Sequence, residues 1–262
     1  MTDTILRVEE IRLGFGNGPD GDLVVLNGLT LELRRGEFLS VVGPSGCGKT
    51  TFLHVLNGLL TPNSGRVEYS KASMALVFQR PRLLPWRTVL DNAIFGMECA
   101  GKEPGGAREK ASALLRTMGL DGFLQAYPHQ LSEGMKQRVN LARAILVDPD
   151  ILLMDEPFSA LDVMTRRALQ NDLLALWKER GLSVVFVTHS IEEAVYLSDR
   201  VMFLTDKPAK IRDVLPVDLP RPRGEGAKGR LDLFARAESF AELLRPETTS
   251  SSEGDGTSLS GG

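Results

Sequence analysis

Cysteine is nearly absent: Cys47 and Cys99 are the only two in 262 residues. Two cysteines build neither a disulfide framework nor a cysteine-rich zinc site, so a reducing cytosol is the expected setting. Long apolar runs are missing as well. No stretch approaches the roughly 18 residues of a membrane span, and the start, Met1-Thr2-Asp3-Thr4, lacks the basic flank and apolar core of a signal peptide. Any work at a membrane is therefore expected to be peripheral. Neither sign of charge dominates, since 31 Lys and Arg against 34 Asp and Glu leave a net charge of −3. That balance offers no electrostatic footprint for nucleic acid. Internal repeats and long charge runs do not occur. With 42% hydrophobic and 25% charged residues, what is left is an ordinary globular chain, long enough to bury roughly 70–75% of its unfolded surface. One catalytic domain with lobes fits this length better than two independent domains.

What is present centres on Gly43-Pro44-Ser45-Gly46-Cys47-Gly48-Lys49-Thr50. It lies between the apolar residues 38–42 and the helix-patterned residues 51–60, which is the strand-to-helix context that a G-x-x-x-x-G-K-[ST] phosphate loop requires. The glycines let the backbone curl so that successive N–H groups face a phosphate, and the following helix adds the positive end of its dipole. Lys49 is expected to reach the β and γ phosphates. The Thr50 hydroxyl is expected in the shell of a Mg²⁺ ion, which takes few protein ligands and keeps most of its waters.

Before the loop, residues 5–13 and 23–33 read as strands around a turn at 14–22, an antiparallel flap. Phe15 in that turn is a candidate to stack on an adenine ring, with core packing as the alternative. After the loop come short strands at 66–69 and 74–78, the second followed by Gln79, at the strand end where parallel sheets place ligand contacts. Residues 80–86 include Leu83-Leu84-Pro85-Trp86, unusually apolar for a loop and so either folded back or a partner site. Residues 89–144 carry helical periodicity in three segments, the last opening at Ser132, an N-cap residue and a second possible anion site. Residues 151–156 form an apolar run ending in Asp155-Glu156. At a strand end beside the phosphate loop, Asp155 is expected to hold Mg²⁺, and Glu156 to orient or deprotonate an attacking water. The buried strand expected over 182–188 ends on His189, where an imidazole suits sensing of a γ phosphate. A strand at 201–204 is expected to close the core. Past Pro216, Pro220, Pro222, Gly224, Gly226 and Gly229 read as a linker, residues 231–244 as a short helix and 247–262 as a disordered tail.

Taken together, the phosphate loop, Gln79, Leu131-Ser132-Glu133-Gly134-Met135, Asp155-Glu156, Ser159-Ala160-Leu161-Asp162 and His189 resemble, in order and spacing, the ATP-binding subunit of an ATP-binding-cassette (ABC) transporter. The resemblance covers residues from about 5 to 223. It implies an α/β P-loop NTPase core with an antiparallel β subdomain and a helical signature subdomain at about 88–145, giving an ATPase domain over 1–223 and an extension over 224–262. It also implies an enzyme that binds ATP and Mg²⁺: Glu156, His189 and Lys49 catalytic; Phe15, Gly43 to Thr51, Gln79, Ser132 and Gly134 at the nucleotide; Thr50, Gln79 and Asp155 at the metal. The expected assembly is a head-to-tail dimer in which Ser132 and Gly134 of one subunit complete the ATP site of the other.

Further stretches, among them Leu84-Pro85-Trp86, Tyr127-Pro128-His129-Gln130-Leu131-Ser132 and Asp218-Leu219-Pro220-Arg221-Pro222-Arg223, look like the nitrate, sulfonate and taurine branch of bacterial importers. The partners this implies are membrane permease subunits, docked by a short coupling helix in a groove between the 79–86 loop and the helical lobe, and indirectly a solute-binding protein, at the cytoplasmic face of the inner membrane. Two readings compete. Among non-transport ABC ATPases, a DNA-repair or chromosome-organising one would carry a long coiled coil between phosphate loop and signature, here only residues 51–130, and a translation-factor type would resemble two fused cassettes; a plain P-loop kinase or GTPase would leave the signature and His189 unexplained. Export or lipid trafficking are variants of the transport reading. One departure from the family pattern is Glu133, where a glycine is usual. A carboxylate facing a γ phosphate there would repel it, and a glycine-like positive φ would strain it, whereas one pointing away from the nucleotide would not repel; a working site is expected, with Lys136 as an offset.

Overall fold

The computed structural model describes residues 3–16, 23–69, 72–101, 106–224 and 226–242, the side chains of 226 and 227 excepted. Two sheets meet in it. The first is antiparallel and three-stranded, in the order β2(Leu23–Arg34), β1(Thr4–Phe15), β4(Ser64–Tyr69). This is the flap expected ahead of the phosphate loop, with β4 as its third strand. The second has six strands in the order β5(Met74–Val77), β6(Ile151–Asp155), β7(Ser183–Thr188), β3(Phe38–Val42), β8(Arg200–Leu204), β9(Ile211–Pro216), parallel except for the β8–β9 pair.

Every residue of β3, β6 and β7 is buried, because this sheet is covered on both faces. The period of two sorts their side chains cleanly. Phe38, Val42, Leu152, Met154, Val184 and Phe186 pack toward the helices. Leu39, Val41, Ile151, Leu153, Val185 and Val187 face α1(Lys49–Leu56) and the antiparallel sheet. The helical lobe is α2(Val89–Cys99), α3(Ala107–Thr117) and α4(Glu133–Leu146), each amphipathic and each lending buried residues to one cluster. Thr88 caps α2, Ser132 caps α4, and Asp162 caps α5(Val163–Arg180) through the Met164 and Thr165 N–H groups. The helix α6(Ile191–Leu197) starts just beyond β7.

Two expectations for the end of the chain need correction. The core does not close at 201–204, because β9 adds an antiparallel edge strand whose mixed, partly exposed pattern gave no strand signal. Residues 226–229, read as the end of a linker, are instead the start of α7(Gly226–Glu242), while 217–224 are not helical. Buried Leu233 and Phe240 hold this helix, the Phe240 ring lying edge-on to Phe203 at 5.3 Å between centroids, and tertiary packing overrides the poor helix propensity of its glycines. The tail expected over 247–262 lies outside the described residues. Among the described residues no helix is long and apolar enough to cross a membrane.

Candidate nucleotide site

β3 runs into Gly43 at the carboxyl edge of the parallel strands, the edge at which open α/β sheets bind ligands. Pro44, Ser45 and Gly46 lie exposed around the turn, while Cys47 is buried beneath it. Gly48 has φ 122°, and a Cβ there would sit 2.9 Å from Val25 Cγ1 and 3.1 Å from Leu26 Cδ2, so both conformation and space require glycine. As the N-cap of α1 it supplies no side-chain acceptor, which leaves the first N–H groups of that helix to a ligand or solvent. Lys49 is almost fully buried, and its ammonium donates to the Gly43 and Pro44 carbonyls at 2.8 Å each, 3.8 Å from Glu156 Oε1. A cleft of about 270 Å³ opens here, with Gly46, Gly48, Lys49, Thr50 and Thr51 on its floor and Glu156 at one side. Phe15 lines it too and is 46% exposed, which removes core packing as the explanation for that aromatic.

The strand ends bring the charged groups together. Thr50 Oγ1 donates to Asp155, 3.0 Å from either carboxylate oxygen. Burial pushes the Asp155 carboxyl above its ordinary value and the neighbouring Glu156 adds to this, against the Thr50 hydrogen bond. Glu156 Oε2 lies 2.9 Å from His189 Nδ1. Its backbone is in the left-handed region at φ 41°, a conformation costing a non-glycine residue about 1–3 kcal/mol, held by its N–H on the Val187 carbonyl and by Ser159 on its own carbonyl. Gln79 Nε2 donates to Ser159 Oγ at 3.2 Å, so Gln79 reaches the Glu156 main chain through one hydroxyl.

The signature stands apart from this cleft. Ser132 Oγ accepts from Met135 N–H at the mouth of α4, and neither Ser132 nor Gly134 lines the cleft of its own chain. Gly134 is at a close approach, since a Cβ would lie 2.4 Å from Thr165 Cγ2. The strain anticipated at Glu133 is absent: it has no positive φ and forms the first turn of α4, where the helix dipole favours a carboxylate. Its side chain lies 2.6 Å from Lys136 Nζ, which offsets the charge.

A sequence profile of the ABC transporter family matches residues 26–159. The chain belongs to that family. This ABC ATPase is 49% identical over 233 residues to an uncharacterized ABC transporter ATP-binding protein of Methanocaldococcus jannaschii, 86% of each chain being covered. It is 40% identical over 258 residues to the aliphatic sulfonates import ATP-binding protein SsuB of Bacillus licheniformis, covering 96% of this chain and 98% of that one. Among solved structures it is similar to a dimeric ATP-binding cassette in a post-hydrolysis state bound to ADP and Pi, with a TM-score of 0.71 and 28% identity over 82% of this chain and all of that one. It is an ATP-binding, ATP-hydrolysing cassette with a P-loop NTPase fold.

Sequence reasoning missed part of the cleft wall of this ABC ATPase. Leu23, Val25 and Lys207 line it opposite the loop. Lys207 is delivered by the β8–β9 connection, where Ala209 N–H donates to the Val25 carbonyl at 2.8 Å and Asn27 N–H donates to the Ala209 carbonyl at 2.9 Å. No local pattern around Lys207 announces this; only the pairing of the connection with β2 does.

Proposed function

We propose that this ABC ATPase is the energy-supplying subunit of a bacterial importer for a small anion such as an aliphatic sulfonate, taurine or nitrate. The observation that carries the reading is that the phosphate loop and the signature occur on one chain without forming one cleft. Two copies arranged head to tail bring the Ser132–Gly134 end of α4 from each onto the nucleotide of the other, and the similarity to dimeric cassettes supports that arrangement. Similarity to SsuB across nearly both whole chains supports import of such a solute. The 79–86 loop, with Trp86 71% exposed, is the surface offered to membrane permease subunits, which in turn engage a solute-binding protein. The subunit then works peripherally at the cytoplasmic face of the inner membrane.

In the reaction, water attacks the γ phosphorus, the bond to the β–γ bridging oxygen breaks, and ADP and phosphate leave. Glu156 accepts the water proton, with His189 at 2.9 Å orienting its carboxylate and reading the γ phosphate. The backbone cradle of residues 43–48 and the Lys49 ammonium carry the phosphate charge, and Phe15 stacks on the base. The residues present fit a Mg²⁺ ion: the Thr50 hydroxyl and Asp155 carboxylate converge at 3.0 Å, and a cation beside Asp155 relieves the cost of its buried charge. Thr50, Asp155 and Gln79 would hold it, and when bound it screens the β and γ phosphates.

The test is ATPase activity of the chain assembled in lipid with its permease subunits and binding protein, with aliphatic sulfonates, taurine and nitrate added in turn. Stimulation by one of them supports the importer reading and identifies the solute. Turnover indifferent to permease, binding protein and every solute refutes it.

A further inference from the structure

One face of α4 carries Gln137, Asn140 and Arg143, three residues apart and so stacked about 4.5 Å from one to the next along the helix. Each holds a main-chain carbonyl. Gln137 Nε2 donates to Pro157 O at 2.6 Å, Asn140 Nδ2 to Phe78 O at 3.3 Å, and Arg143 Nη1 to Arg82 O at 2.9 Å. The rungs are also joined to one another, Asn140 Nδ2 to Gln137 Oε1 at 3.4 Å and Arg143 Nη2 to Asn140 Oδ1 at 2.9 Å. Gln137 and Asn140 are 3% and 2% exposed, so these polar groups have no recourse to solvent and an unmade bond there is costly.

The carbonyls they hold are informative. Pro157 directly follows Glu156, and Phe78 directly precedes Gln79. The helix whose first turn is the signature therefore grips the main chain beside Glu156, which lines the cleft, and beside Gln79, which reaches the Glu156 main chain through Ser159. A buried polar network of this kind transmits displacement, because its bonds cannot slide past one another without being broken.

We infer that Gln137 and Asn140 are positioning residues through which the signature's engagement of the partner's nucleotide aligns Glu156 and Gln79 in the subunit's own site. The inference rests on the head-to-tail dimer proposed above. Docking of the Ser132–Gly134 turn shifts α4, the ladder carries the shift to the Pro157 and Phe78 carbonyls, and Glu156, already at an unfavourable φ, moves with its neighbour. A displacement of about 1 Å at such a group is worth about 10²-fold in rate. Each site is thereby made competent by nucleotide in the other, and hydrolysis is cooperative in ATP.

The test uses the purified full chain. ATP turnover is measured against ATP concentration, and nucleotide affinity is measured by titration with a fluorescent trinitrophenyl-ATP probe. Gln137→Met keeps side-chain volume and removes the donor. The expected result is probe affinity within about twofold of wild type, kcat lower by about tenfold to hundredfold, and a Hill coefficient falling from about 2 toward about 1. Arg143→Lys, at the more exposed end of the ladder, is expected to move both quantities the same way by a smaller factor, and it carries the test if Gln137→Met does not fold. A folded Gln137→Met that keeps the wild-type Hill coefficient, whether or not kcat falls, overturns the inference, since a merely structural rung lowers turnover without uncoupling the sites. ATP-driven dimerisation of the Glu156→Gln chain, read by size-exclusion chromatography, separates the two levels. Dimer formation with an unaltered Hill coefficient in Gln137→Met overturns the ladder alone. A chain that stays monomeric with ATP and turns over without cooperativity overturns the dimer and the ladder together.

Discussion

Gly134→Ala isolates what the signature glycine is for. The added Cβ would stand 2.4 Å from Thr165 Cγ2, while the next heavy atom, Thr165 Cβ, is at an ordinary 3.8 Å. Carbon atoms prefer about 3.5–4.0 Å, so a single methyl is the obstacle. Overpacking a fitted site costs about 1–3 kcal/mol. Thr165 is half-buried and a helical threonine has a second accessible rotamer, which puts the cost near about 2 kcal/mol. Gly134 has no positive φ, so alanine recovers about 1 kcal/mol of helix propensity. The expected net loss is about 1 kcal/mol. In a Thr165→Ser background the obstructing methyl is gone while the Thr165 N–H cap to Asp162 is kept, and the same substitution is expected to gain up to about 1 kcal/mol. A double-mutant cycle by urea unfolding should therefore return a coupling energy of about 2 kcal/mol. Equal costs in both backgrounds refute the close-packing explanation. If the double variant is stable but its Glu156→Gln form no longer dimerises with ATP, the glycine is needed at the partner's phosphates as well.

Glu156→Gln is expected to leave ATP affinity near wild type and to lower kcat by about 10²–10⁴-fold, and undiminished turnover removes Glu156 from the role of general base. Lys49→Ala exchanges a buried ammonium at the loop for a methyl, and equilibrium titration should show ATP affinity weakened by about tenfold or more; unaltered affinity contradicts its placement at the phosphates. Arg223 is buried, its guanidinium lowered to about 10 by burial and by Arg221, and it donates to the carbonyls of Val195, Tyr196, Ser198, Val217 and Leu219. Arg223→Met strands these acceptors and should cost about 3 kcal/mol in urea unfolding; a loss below about 1 kcal/mol means that water replaces the guanidinium.

The parallel core was legible because strands buried on both faces read as unbroken apolar runs, as at residues 38–42, 151–155 and 183–187, and because the phosphate loop fixes where one of them ends. A helix start was legible where a capping side chain marks it, as Ser132 does for α4. β9 and the first turn of α7 were not, since both depend on distant packing, β9 on β8 and α7 on Phe203. At the cleft, the phosphate-loop residues and Glu156 were legible from local motifs, whereas Lys207 and Val25 were not, being brought together by two backbone hydrogen bonds between chain segments far apart in sequence. The strain that a glycine-like φ would have put on Glu133 does not arise there, while Glu156, at the end of a buried strand, does have a positive φ. Spacing alone does not reveal which residues bear it, for Glu10 and Asp148 share it with Glu156.

The bridge between Val25 and Ala209 also sets an order of events during synthesis. A nascent chain that has displayed the phosphate loop, the signature, Asp155-Glu156 and His189 still lacks Lys207 from the cleft wall, because the segment that carries it and hydrogen-bonds to β2 has not yet followed. Ribosomes add about 5–20 residues per second, so the interval is about a second or more. Throughout it the phosphate loop, Phe15, Leu23 and Val25 are already made, and the last wall of the cleft is the last part to be synthesised.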